Sequence, residues 1–185
     1  TIWLVFHGMG YLSQYFLRYF KNLNPNENYV IAPQAPSKYY IQPKMHVGAN
    51  WLTRDNTEVG MQNIMNYIDA VLKVEDIPKD KNLIVFGYSQ GVSIATRYVK
   101  RRQLQPTQLV FHSGGIPKEL TPKDFENLNK SCKVKLIYGT KDEYLDEARI
   151  EIESKRATEL FGKRLEVLPF EGKHVVNVDY INNLV

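Results

Sequence analysis

The sequence predicts an α/β fold, a mostly parallel sheet of about six strands with helices on both faces. Three observations carry that expectation. Six short apolar runs recur along the chain, and segments with helical periodicity stand between most of them. Most of the runs are continuously apolar rather than alternating, as expected of strands covered on both faces. The regular alternation of the two kinds of segment favours parallel strands joined by right-handed crossovers.

The elements follow in order. Ile2-Trp3-Leu4-Val5-Phe6 reads as the first strand, 12–22 as a helix and 29–32 as the second strand. Residues 36–56 are rich in Tyr, Pro and Gly and read as a long loop leaving that strand. Residues 58–74 form the clearest helix, with Met61, Ile64, Met65, Ile68, Val71 and Leu72 at i, i+3, i+4, i+7 spacing. Strand 83–86 precedes a helix over 91–103, whose apolar side carries Ile94, Ala95, Tyr98 and Val99. Its last turn is basic, which suits the negative end of the helix dipole. Strands follow at 108–112, 134–138 and 165–169, with a helix over 143–161 and a final one over 175–185.

Composition narrows the class. The chain has 185 residues, 43% hydrophobic and 24% charged, which suits one globular domain with a substantial core. The net charge is +4, and the densest basic clusters, Lys100-Arg101-Arg102 and Lys163-Arg164, read as solvated helix ends rather than a nucleic-acid surface. Cys132 is the lone cysteine, so no intrachain disulfide can form. No stretch approaches the ~20 apolar residues of a membrane span, and no signal peptide is visible. A cytoplasmic location is the expectation. The chain opens at Thr1 almost directly on a strand, so some N-terminal sequence is expected to precede it. Oligomeric state is not legible.

Ligands in parallel sheets bind at the carboxyl ends of the strands, so what stands there matters most. Gly87-Tyr88-Ser89-Gln90-Gly91 follows strand 83–86. This is G-x-S-x-G between a strand and a helix, the sequence form of a nucleophile elbow. Small residues on either side give the tight turn room, and Ser89 is expected in a strained backbone conformation. A nucleophilic serine of this kind needs an acid and then a histidine further along the chain. Of the four histidines only His174 lies late enough. His7 is expected to brace the first strand's loop, His112 to be structural, and His46, in the long loop, is not assigned. Asp142, Glu143, Asp146 and Glu147 follow the fifth strand. Asp142 is favoured because it sits on the turn before the helix. His174 is then the general base and Asp142 its orienting acid. Two backbone N–H groups are expected to hold the oxyanion: Gln90, directly after the serine, and one from His7-Gly8-Met9-Gly10, of which Met9 is preferred.

His7-Gly8-Met9-Gly10, Ala32-Pro33-Gln34-Ala35-Pro36, Trp51, the elbow, Ser113-Gly114-Gly115, Gly139-Thr140-Lys141-Asp142 and Gly172-Lys173-His174 together resemble the α/β-hydrolase superfamily. Within it the chain resembles the phospholipase/carboxylesterase family, which includes small carboxylesterases and acyl-protein thioesterases. The resemblance implies metal-independent hydrolysis of carboxylic esters or thioesters with no cofactor. It gives Ser89, Asp142 and His174 as the triad and Met9 and Gln90 as oxyanion donors. The segment 115–134 is too short for a large lid, so a minimal hydrolase fold is expected. Gly10-Tyr11-Leu12-Ser13 stands where acyl-protein thioesterases often carry an aspartate, which weakens the thioesterase assignment.

The expected function is therefore a serine esterase of carboxylesterase type acting on a small-molecule ester. A thioesterase or lysophospholipase on the same residues is the enzymatic alternative, and a non-catalytic ligand-binding hydrolase fold the alternative of another class. Tyr39, Tyr40 and Trp51 are expected to wall a substrate pocket over Ser89. For Trp51, packing of the loop onto the body is an equal alternative.

Overall fold

The computed structural model describes residues 1–78 and 80–185. Six strands form one sheet, β1 (Ile2–Phe6), β2 (Tyr29–Ile31), β5 (Leu83–Tyr88), β6 (Gln108–His112), β7 (Lys133–Gly139) and β8 (Leu165–Phe170). Their spatial order is β2-β1-β5-β6-β7-β8, and every pairing is parallel. The helices are α1 (Ser13–Phe16), which continues as a 3-10 turn over Leu17–Phe20, α2 (Thr57–Glu75), α3 (Gln90–Arg102), α4 (Glu147–Phe161) and α5 (Val178–Asn182).

Alternation along each strand divides the core. Leu4, Phe6, Val85, Leu109, Phe111 and Leu136 face α2, α3 and α4. Trp3, Val5, Ile84, Phe86, Val110 and Ile137 face α1 and α5. Side chains one residue apart point to opposite faces, so continuous apolar strands are what this double covering requires. The stripe read on α2 is the buried one: Ile64, Met65 and Ile68 lie in the core.

The first and last helices are shorter than the 12–22 and 175–185 read from the sequence, and two further parts differ in kind or start. Residues 36–56 are not a loop throughout. They hold an antiparallel hairpin, β3 (Ser37–Ile41) with β4 (His46–Asn50), paired Tyr39 to Gly48 and Ile41 to His46. The hairpin leaves little trace in the sequence because β3 is largely exposed and shows no apolar side. α4 begins at Glu147 rather than at 143, because the Asp142 side chain accepts the Tyr144 and Leu145 N–H groups in a turn. Asp146 then caps the helix by accepting the Arg149 N–H.

The strand order places the site. β2 lies on one side of β1 and β5 on the other, so the chain reverses direction across the sheet at β1. Such a switch point opens a crevice outside the strand ends. Phe6 pairs with Gly87 there, so the loops carrying His7 and Ser89 stand side by side. Among the described residues, no helix is long and apolar enough to cross a membrane.

Candidate active site

Ser89 sits between β5 and the first turn of α3 with φ 51° and ψ −119°, a conformation that side chains rarely adopt. Its N–H donates to the His112 carbonyl at 2.9 Å, and its carbonyl accepts the Val92 N–H at 3.0 Å. The strained turn is thus held on both sides. It aims Oγ out of the sheet, 3.0 Å from His174 Nε2. His174 Nδ1 lies 2.7 Å from Asp142 Oδ2, and the Asp142 side chain is fully buried. A proton held on Nδ1 and hydrogen-bonded to the carboxylate leaves Nε2 as the acceptor of the serine hydroxyl.

Asp142 uses both its oxygens. Oδ2 meets the imidazole while Oδ1 takes the N–H groups of Tyr144 and Leu145 at 2.8 and 3.0 Å. The other carboxylates weighed from the sequence have different places. Glu143 is exposed and accepts the His174 backbone N–H at 3.4 Å, Asp146 caps α4 and Glu147 opens it.

His7 is buried and braces its loop, as the sequence suggests. Its Nδ1 donates to the Gly8 carbonyl at 2.8 Å, and its Nε2 accepts the Ala35 N–H at 3.1 Å. Acceptance at Nε2 needs the neutral ring, and burial holds His7 below the usual imidazole value. Because a trans peptide sets C=O and N–H on opposite sides, pinning the Gly8 carbonyl turns the Met9 N–H away from His7. A Cβ placed on Gly8 would stand 3.1 Å from the Ser89 Cβ, so this loop runs directly against the serine. Gln90 is the first residue of α3, where a backbone N–H has no partner one turn back.

The hairpin supports the same loop through main-chain bonds. Gly10 N–H donates to Ala49 at 2.8 Å and Ala49 N–H to Tyr11 at 3.2 Å. Tyr39 lies on the side of β3 turned to this loop, its hydroxyl 3.8 Å from where a Cβ would stand on Gly10. Tyr40 points to the opposite side and is 63% exposed, so it does not line the crevice. Trp51 takes the packing alternative. It is 2% exposed, its Nε1 donates to the His7 carbonyl at 2.8 Å, and its ring packs on Phe6.

The cavity at Ser89, about 270 Å³, opens on the other side of the serine from the hairpin. Ser113, Gly114, Gly115, Tyr144 and Leu145 wall it. The sequence shows Ser113-Gly114-Gly115 at a strand end without giving these residues a role; their place at the carboxyl end of a parallel strand is the available signal. The Gln90 side chain has a task that no sequence pattern announces. It accepts the Trp51 N–H at 2.9 Å and donates to the Leu52 carbonyl at 2.9 Å. A larger depression of about 650 Å³ lies at the amino ends of the strands, bounded by Thr1, Asn82, Gln108 and Lys133, away from this chemistry.

His112 is buried at the end of β6. Its Nε2 accepts the Asn177 N–H at 2.9 Å, and its Nδ1 lies 3.0 Å from Ser113 Oγ. Burial, and secondarily the nearby His174, push it down to about 3. An unfolded imidazole takes up its proton near pH 6.5. Between those values the unfolded chain therefore binds more protons than the folded one. Stability is present in full above about pH 6.5 and falls as the pH drops toward 3. Urea unfolding at pH 7 and pH 4 should show a loss on the order of a few kcal/mol. In His112→Gln that loss should be visibly smaller, and an equal slope in both proteins would refute the assignment to His112.

A parallel sheet whose polar loops gather at the switch point beside a serine on a strand-to-helix turn defines the α/β-hydrolase fold. Solved structures agree. The chain is similar to Zea mays acyl-protein thioesterase 2 (16% identity, 100% of this chain and 90% of that one, TM-score 0.73). It is likewise similar to esterase PE8 (19% identity, 100% and 90%, TM-score 0.70) and to Arabidopsis thaliana SOBER1 (16% identity, 99% and 96%, TM-score 0.67). No curated protein matches the sequence. The phospholipase/carboxylesterase family model matches residues 1–183, and the chain belongs to that family of hydrolases.

Proposed function

We propose that the protein is a serine hydrolase of carboxylesterase type, cleaving small carboxylic esters through Ser89, His174 and Asp142. The observation that carries this reading is the unbroken hydrogen-bonded chain from Ser89 Oγ to His174 to Asp142 at the mouth of a cavity. His174 Nε2 takes the Ser89 proton as Oγ attacks the ester carbonyl carbon. The carbonyl oxygen becomes an oxyanion held by the N–H groups of Gln90 and Met9. Collapse of that intermediate expels the alcohol, which leaves with the proton from His174 and gives an acyl-serine. Water then attacks the acyl-serine, giving up a proton to His174. The acid departs and Ser89 regains its proton.

Tyr39, beside Gly10, is the remaining hairpin residue proposed to meet substrate, and the walls of the cavity next to Ser89 hold the acyl or alcohol group. An alkyl fluorophosphonate should label the folded protein once, at Ser89, as located by peptide mass. A folded protein that resists the reagent refutes the serine-hydrolase reading. Rates on p-nitrophenyl butyrate and on a matched butyryl thioester then separate an esterase from a thioesterase, with the oxygen ester expected to be preferred. A long-chain lysophospholipid as substrate tests the lysophospholipase alternative in the same assay.

A further inference from the structure

We propose that Tyr88 and Tyr144 are positioning residues for His174, the buried one anchoring its backbone and the exposed one packing its ring against the Ser89–Asp142 line. This rests on the reading of His174 as the general base.

His174 lies on the short irregular stretch between β8 and α5, so no regular element fixes its backbone. Its neighbours are tied: the Gly172 carbonyl accepts the Lys141 N–H at 2.8 Å, and the Asn177 N–H reaches His112. The residue itself has two backbone bonds. Its N–H reaches the exposed Glu143 at a long 3.4 Å. Its carbonyl accepts the Tyr88 hydroxyl at 3.0 Å, and Tyr88 is buried. Tyr88 is therefore the firm anchor.

Tyr88 is itself immobilised. Its ring stacks on Phe16 at 6.1 Å and meets Tyr11 edge-on at 5.7 Å and His112 at 5.4 Å. Burial, with the Tyr11 hydroxyl beside it, raises the Tyr88 phenol well above its ordinary value. The hydroxyl thus remains a donor at any working pH. The Tyr88 ring also lies 5.3 Å from the imidazole.

Tyr144 comes from the loop ahead of α4. Its main chain holds Asp142, while its ring centre lies 4.8 Å from that of His174. Tyr144 as a whole is 72% exposed, more than a core tyrosine would be. An aromatic ring this close favours the imidazolium that forms as Ser89 gives up its proton. One residue thus serves both the acid and the base. With only 3.0 and 2.7 Å on either side of the imidazole, a small displacement costs turnover rather than binding.

The test is a comparison of kcat and KM on p-nitrophenyl butyrate, with the rate of fluorophosphonate labelling, in Tyr88→Phe, Tyr144→Ala and Tyr144→Phe. Tyr88→Phe should lower kcat and the labelling rate together about 10-fold at unchanged KM. Tyr144→Ala should lower both about 5-fold, and Tyr144→Phe, which restores the ring, should recover most of that loss. A purely structural tyrosine would lower the melting temperature and leave kcat alone. A kcat within about twofold of wild type in either Tyr88→Phe or Tyr144→Ala overturns the inference, as does a change confined to KM. Should Tyr88→Phe not fold, the exposed Tyr144 pair decides. Wild-type protein that neither turns over ester nor takes the label overturns the general-base reading and this inference together, whereas an active wild type with unaffected variants overturns this inference alone.

Discussion

Ser89→Ala is expected to lower kcat about a million-fold, and Asp142→Asn about ten-thousand-fold, with both variants as stable as wild type. The serine result follows from losing the nucleophile. The aspartate result is the more demanding one. Asparagine keeps Oδ1, so the Tyr144 and Leu145 N–H groups retain an acceptor and the turn before α4 persists. What changes is the face toward His174, where an amide N–H₂ group replaces the oxygen that stood 2.7 Å from Nδ1. Two donors cannot share that contact. The imidazole then carries its proton on Nε2 instead, where it faces Ser89 Oγ and cannot accept from it. Steady-state rates on p-nitrophenyl butyrate, with thermal melts beside them, check both variants. Asp142→Asn retaining more than about a tenth of the activity would mean that the aspartate does not set the tautomer.

Features imposed by many residues at once are legible in the sequence. A parallel sheet covered on both faces needs continuous apolar strands, and the central β1, β5 and β6 supply them, whereas β7 carries two lysines and the edge strand β8 is only partly covered. The elbow is legible because tight strand-to-helix geometry restricts residue type at several consecutive positions. The hairpin is not, because β3 is largely exposed and the bonds from Gly10 to Ala49 and from Ala49 to Tyr11 that tie the hairpin to the His7–Gly10 loop are main-chain ones, which leave no side-chain pattern. Trp51 illustrates another limit. A pocket wall and a buried prop both call for a large apolar ring, and only the folded chain distinguishes them, through the burial of Trp51 and the bond from its Nε1 to the His7 carbonyl. The start of α4 departs from its periodicity for a local reason: the Asp142 side chain competes with helix formation by taking the next N–H groups.

Gly91→Ala should cost more than about 3 kcal/mol, at or beyond the upper end of ordinary overpacking, and most of the activity with it. Helix propensity argues the opposite, since alanine is worth about 1 kcal/mol more than glycine inside a helix. The difference is the contact. A Cβ on Gly91 would stand 2.0 Å from the Phe6 carbonyl oxygen, 2.6 Å from its carbon and 2.8 Å from the His7 oxygen. All three are backbone atoms, which cannot rotate aside. Relief requires either that α3 lift away from β1 or that the end of β1 shift. The first moves the Gln90 N–H, and the second moves the Gly8–Met9 peptide. In both cases the two proposed oxyanion donors separate, and losing one such donor typically costs ~100- to 1,000-fold in rate. Gly91→Ala should therefore lower the urea midpoint and kcat together, where Ser89→Ala lowers kcat alone. If Gly91→Ala is destabilised but keeps kcat, the spacing of these two N–H groups does not matter to turnover, and the assignment of the oxyanion site to Met9 and Gln90 is wrong.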